Sequence, residues 1–238
     1  MPIIRNIELL FPEDRQANLI FYRETRCIAS LYSRLLPEFK TDEYKGILIN
    51  CVSGLGIINK LDADSFIMFN YKSVFAEINM KEFFSLPTDQ RKKEYTLEVM
   101  QKPLEQVAKE LNFDISLFKD IHQKIINLDF ENKWIYAKKS SPNRKYSCCI
   151  VFEQEVSYID VFLEIKKRNG EVIGRERIMR ETDTDEQHLF SKLGKIGWTY
   201  NHKVSFSDPD YKTKFIVTFL EKNSSESLYW KYEQQIFQ

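Results

Sequence analysis

From Val156 to Arg180 the chain reads VSYIDVFLEIKKRNGEVIGRERIMR. Ile159, Val161, Leu163 and Ile165 alternate with Tyr158, Asp160, Phe162 and Glu164, the period of two that marks a strand with one face in a core. Asn169-Gly170 then supplies the strongest short-range hairpin signal in the chain, because both central residues of a type I′ turn take positive φ. Glu171 to Arg180 is the expected partner strand. A strand, a tight turn and a returning strand place an antiparallel sheet in the second half of the molecule.

The neighbouring stretches extend that sheet. Trp134–Ala137 and Lys145–Glu153 read as strands upstream of the hairpin, which itself begins at Val156. Downstream, Thr184-Asp185-Glu186-Gln187 forms a capping-box pattern for a short helix through Leu193, with Gly194 as its stop. Trp198–Phe206 and Thr213–Glu221 read as two strands around Asp208-Pro209-Asp210. Ser224 is placed to cap a last helix carrying Leu228, Tyr232 and Ile236 on one face.

The first half has a different rhythm. Pro2–Leu10 reads as a strand. Ala17, Ile20, Cys27, Ile28, Leu31 and Leu35 recur at helical spacing and predict a long amphipathic helix ending before Pro37. Gly46–Val52 is a short apolar strand, Ile57-Ile58 the start of a returning one, and Ser65–Ile78 holds a further strand or two. Leu97, Met100, Leu104, Val107, Ala108 and Leu111 share a helix face that Pro103 is expected to kink. Leu117, Ile121, Ile125 and Leu128 mark another helix, capped by Asp114 or Ser116. The predicted class is α+β: a mixed α/β first half with long amphipathic helices and an antiparallel strand-rich second half. Residues 1–130 and 131–238 are the expected modules, a single fused domain being the alternative.

Composition narrows the function classes. The 238 residues carry 35 basic and 35 acidic side chains. No segment among residues 1–60, 61–128, 129–182 and 183–238 departs from neutrality by more than two charges. Nucleic-acid binding draws on clustered cations, so this local balance argues against it. Glycine and proline, 7 each, fall below the roughly 7% and 5% of ordinary proteins, which disfavours linkers and glycine-rich nucleotide loops. The first eight residues carry charges where a secretory signal needs an apolar core, and the longest nearly apolar run, Ile47–Ile58, is shorter than the ~20 residues of a membrane span. The expectation is a cytoplasmic protein with no membrane association.

Chemistry-bearing motifs are sparse. Ser53-Gly54-Leu55-Gly56 follows a strand, but Ile57-Ile58 stands where a phosphate loop needs Lys and Ser/Thr, and Asn59 where a dinucleotide fingerprint needs glycine. Cys27, Cys51, Cys148 and Cys149 have no metal-site spacing and read as buried apolar groups. His122, His188 and His202 form no metal pair. Asp62, Asp64 and Glu181–Glu186 lack the offsets of a calcium loop. No catalytic, cofactor or metal residue is assigned and no cofactor is expected.

Three functions remain. The first is a non-enzymatic protein-interaction module, an inhibitor or an immunity-type protein neutralising a protein partner, since such a protein needs surface complementarity and no chemistry. The second is a hydrolase or transferase with Cys51, Cys148 or Cys149 as nucleophile and a histidine base brought together in space. The third is RNA binding through the Lys138–Lys145 loop, flanked by Trp134, Tyr136 and Tyr146. For a protein partner, the candidate contacts are the basic Lys138, Lys139, Arg144 and Lys145 and the acidic Asp183, Asp185 and Glu186, because opposed charges steer encounter.

Overall fold

The computed structural model describes residues 1–60, 67–210, 212–221 and 228–237. The fold is α+β, and the chain divides into two compact units, Met1–Asn132 with Glu155–Ser157, and Lys133–Gln154 with Tyr158–Gln238.

The first unit contains β1 (Ile3–Ile4), β2 (Asn6–Leu10), α1 (Arg15–Leu35), β3 (Phe39–Lys40), β4 (Gly46–Val52), a 3-10 helix (Leu55–Lys60), β5 (Tyr71–Glu77), α2 (Met80–Ser85), α3 (Asp89–Glu110) and α4 (Ile115–Asn127). β4 lies between β2 and β5 and is parallel to both. Every residue of β4 is buried, as expected of a parallel strand covered on both faces. α1 starts where Asp14 caps the Ala17 amide, and it ends at Leu35, ahead of Pro37. It buries Phe21, Cys27, Ile28, Leu31 and Tyr32, and the Tyr32 hydroxyl donates to the Phe118 carbonyl of α4 at 3.0 Å. α3 runs through Pro103, which is buried. Neither α3 nor α4 ends on glycine. Asn112 and Asp129 take the left-handed conformation instead (φ 56° and 49°), and the Phe113 and Phe130 amides close back onto Ala108 and Ile125, which is the Schellman arrangement.

Two readings of this half change. The strand expected over Pro2–Leu10 is two strands broken at Arg5: β1 pairs with β3 and β2 with β4. The returning strand expected at Ile57-Ile58 is the 3-10 helix. The Ser65–Ile78 stretch holds the expected strand, Tyr71–Glu77, parallel to β4, and Asp62, Asp64 and Ser65 lie outside the described residues.

The second unit contains β6 (Asn132–Ser140), β7 (Tyr146–Gln154), β8 (Ile159–Lys167), β9 (Val172–Glu181), α5 (Glu186–Phe190), β10 (Ile196–Tyr200), β11 (Lys203–Ser207), β12 (Thr213–Glu221) and β13 (Leu228–Ile236). They form two four-stranded sheets, β6-β7-β8-β9 and β10-β11-β12-β13. One core takes Cys148, Ile150, Phe152, Val161 and Leu163 from the first sheet and Val204, Phe206, Phe215, Val217 and Phe219 from the second, the interdigitated interior of a β-sandwich.

The β8–β9 hairpin forms as the alternation requires, but its turn differs from a type I′. Only Gly170 has positive φ (94°). The Gly170 amide donates to Lys167 O and the Lys167 amide to Glu171 O, so the loop holds three residues, with glycine in the left-handed position that such loops demand. The single strand expected over Trp198–Phe206 is a hairpin, β10 and β11. The last helix is also overturned: Leu228–Ile236 is β13, paired with β12 along nine residues. Leu228, Tyr232 and Ile236 are four apart, a spacing that satisfies one face of a helix and one face of a strand alike; the aromatic run Tyr229-Trp230 and Tyr232 favours the strand. Ser224 lies outside the described residues.

Candidate functional site

The β8–β9 hairpin decides what the outer face of its sheet presents. β8 turns Ile159, Val161, Leu163 and Ile165 into the core, which leaves Asp160, Phe162, Glu164 and Lys166 outward. On β9 a bulge intervenes: Val161 pairs with Met179, and Phe162 with Arg177, skipping Ile178. Arg177 and Arg180 are three residues apart and would otherwise face opposite ways; the extra residue brings both to the outer face with Arg175.

Each guanidinium is held by its cross-strand neighbours. Arg180 forms a bidentate pair with Asp160, Nε to Oδ1 at 2.7 Å and Nη2 to Oδ2 at 2.6 Å, and lies 3.9 Å over the Tyr158 ring. Arg175 sits 3.4 Å over Phe162 and reaches Glu153 at 2.6 Å and Glu164 at 3.3 Å. Arg177 is looser, 3.6 Å from Asp160, with half its side chain (50%) exposed. Lys133 joins Glu153 at 2.8 Å and Lys166 joins Glu164 at 3.0 Å. Forks fixed by carboxylates and stacked on rings have lost their rotamer freedom before any partner arrives.

Glu164 is the buried centre of this array, its side chain 3% exposed, with Lys133, Lys166 and Arg175 within 4 Å. Glu153 sits beside it. Burial works against ionising Glu153, yet hydrogen bonds from Lys133 and Arg175 hold its carboxyl below the ordinary range. Because the folded pKa is the depressed one, the stabilisation is complete above the unfolded value of about 4.3 and is lost as pH falls from there through the folded value. Urea midpoints of wild type and Glu153→Gln are therefore expected to differ most, and by a constant amount, above about pH 5, and to converge as pH falls from about 4.3 through the folded value. A gap independent of pH rules out this role for Glu153.

The residues singled out in the sequence all lie in the second unit. Lys138 and Lys139 are on β6, and Arg144 and Lys145 on the turn into β7, where Arg144 has positive φ (57°). Lys138 belongs to the same sheet as the arginines, on the edge strand opposite β9. Lys138, Arg144 and Lys145 have no ion-pair partner among the described residues. Lys139 is committed elsewhere: its ammonium donates to Ile196 O, and its carbonyl accepts from the Trp198 indole. The acidic segment is largely internal. Asp185 caps α5 at the Gln187 amide, Asp183 accepts from the Asp185 amide and meets His188 Nδ1 at 3.1 Å, and Glu186 is buried.

The other motifs are absorbed by structure. All four cysteines are unpaired and buried. Burial pushes Cys27 up to about 12 and raises Cys51, Cys148 and Cys149, away from the thiolate that nucleophilic chemistry uses. In the Ser53–Gly56 turn two of the four amides are held by carboxylates. Glu13 accepts from the Ser53 amide at 2.5 Å and from its hydroxyl at 2.7 Å, and Glu77 accepts from the Leu55 amide at 3.0 Å.

Sequence reading missed Arg175, Arg177 and Arg180. Their spacing, RxRxxR, fits neither a clean period of two nor a helix face, and only the bulge reconciles it. Comparison with known protein families, with curated proteins and with solved structures found no match.

Proposed function

We propose that the chain is a non-enzymatic, cytoplasmic protein-interaction module of inhibitor or immunity type, and that the outer face of β6–β9 binds an acidic surface on its protein partner. The observation that carries this reading is the set of three aligned arginines on β9, two of them held in place by carboxylates and rings. Arginine and aromatic side chains anchor protein interfaces. Here Lys133, Lys166 and the three arginines outnumber Glu153, Asp160 and Glu164 on one face of a chain whose overall charge is zero. Arg144 and Lys145 on the adjoining turn extend the field that steers encounter, while Asp183, Asp185 and Glu186 are proposed only as a flanking contact. Four unpaired thiols suit a reducing compartment.

The test is capture on immobilised full-length chain from the source cells, with a salt gradient for elution. An acidic protein retained in stoichiometric amount and released by salt is the expected result. The triple substitution Lys138→Ala, Arg144→Ala, Lys145→Ala is expected to slow its association more than it speeds dissociation. Recovery of RNA, or of no stoichiometric protein, overturns the proposal.

A further inference from the structure

A second feature of the sandwich unit lies on the inner side of β9, away from the arginines. A cleft of about 500 Å³ is lined by Ile178 and Met179 of β9, Ser191 and Lys192 after α5, Phe206 of β11, the Asp208-Pro209-Asp210 turn, Thr213 and Phe215 of β12, and Gln234 of β13. The β9 bulge is what opens it. Successive residues of a regular strand face opposite ways, yet Ile178 and Met179 both line this cleft. Its floor reaches the core through Phe206 and Phe215, which are buried. The volume is that of a small-molecule site, with an apolar floor below a polar rim.

The charge at its mouth is one-sided. Lys192 is neutralised by Glu181 at 2.7 Å. Asp208 is fixed by the Lys212 and Thr213 amides, each 2.8 Å from one of its oxygens. Asp210 is exposed on the rim and has no hydrogen-bond or ion-pair partner among the described residues. From this apolar floor and carboxylate rim we infer that the cleft binds an organic cation, an ammonium or guanidinium on an apolar stem, with the stem against Met179, Phe206 and Phe215 and the charge at Asp210. The same chemistry is offered by a free amine and by a lysine side chain of a peptide.

The experiment is a titration of the full-length chain, followed by ligand-observed NMR, with phenethylamine, with its neutral counterpart phenethyl alcohol, and with acetyl-lysine-methylamide. The amine is expected to bind about three- to fivefold more tightly than the alcohol, the range of an exposed ion pair. Asp210→Asn is expected to abolish that difference and leave the alcohol's affinity alone. Met179→Trp, which fills the cleft, is expected to weaken both, with thermal melts confirming that each variant is folded. Tighter binding of the lysine derivative than of the amine identifies a peptide side chain as the ligand, and the reverse identifies a free amine. Equal affinities of amine and alcohol, no effect of Asp210→Asn, or no binding at millimolar concentration overturns the inference.

Discussion

Replacing Arg26 with methionine is expected to destabilise the first unit by about 3–5 kcal/mol, the cost of removing one partner from a buried ion pair. Arg26 Nη1 lies 2.7 Å from Glu8 Oε2, and the two side chains are 8% and 10% exposed. The pair joins α1 to β2, the edge strand of the parallel sheet. Methionine fills a similar space but removes the Arg26 guanidinium from the buried Glu8 carboxylate. Changing both residues to apolar ones of similar volume is expected to recover most of the loss, since a buried pair contributes little beyond its own desolvation. The helices α1–α4 all belong to the first unit and the three tryptophans, Trp134, Trp198 and Trp230, to the second. Urea unfolding followed by circular dichroism at 222 nm therefore reports chiefly on the first unit. An Arg26→Met midpoint equal to wild type contradicts the assignment.

The second large effect is expected at Gly194. A Cβ built there would stand 2.2 Å from the carbonyl oxygen of Ser207 and 2.7 Å from the Asp208 backbone. Both are main-chain atoms at the end of β11, which cannot rotate away as a side-chain tip would. Gly194→Ala must push the segment after α5 off β11, with a cost of about 3 kcal/mol, the upper range for overpacking. Tryptophan fluorescence reads the transition of this unit, and a shift smaller than about 0.5 kcal/mol contradicts the close approach. The sequence reading placed Gly194 as a helix stop. The helix ends earlier, with Ser191 as its cap, and what demands glycine is the contact with a strand distant in sequence.

Gly194 illustrates what was legible and what was not. Features fixed by local chemistry were readable: the alternation in β8, the apolar run of β4 and the stop before Pro37 all follow from neighbours in sequence. Features fixed by distant partners were not. Leu228–Ile236 carries a spacing that suits helix and strand equally, and pairing with β12 decides it. The arginine face was hidden for the same reason. Arg175, Arg177 and Arg180 share a face only through a bulge defined by register against β8, and their cations were masked in the segment count by Glu153, Asp160 and Glu164, which bind them. Of the residues proposed from sequence, Lys138 lies in the same sheet, whereas Asp185 serves its own helix.

The measurement that bears most directly on the proposed interface is calorimetric titration of the captured partner against wild type and Arg177→Ala. Arg177 is the least committed of the three arginines, so its removal is expected to change stability by no more than about 0.5 kcal/mol. If this face grips the partner, affinity falls by about 30-fold, the equivalent of about 2 kcal/mol, and its dependence on salt weakens. An unchanged affinity and an unchanged salt dependence in the folded variant would contradict the assignment of this face.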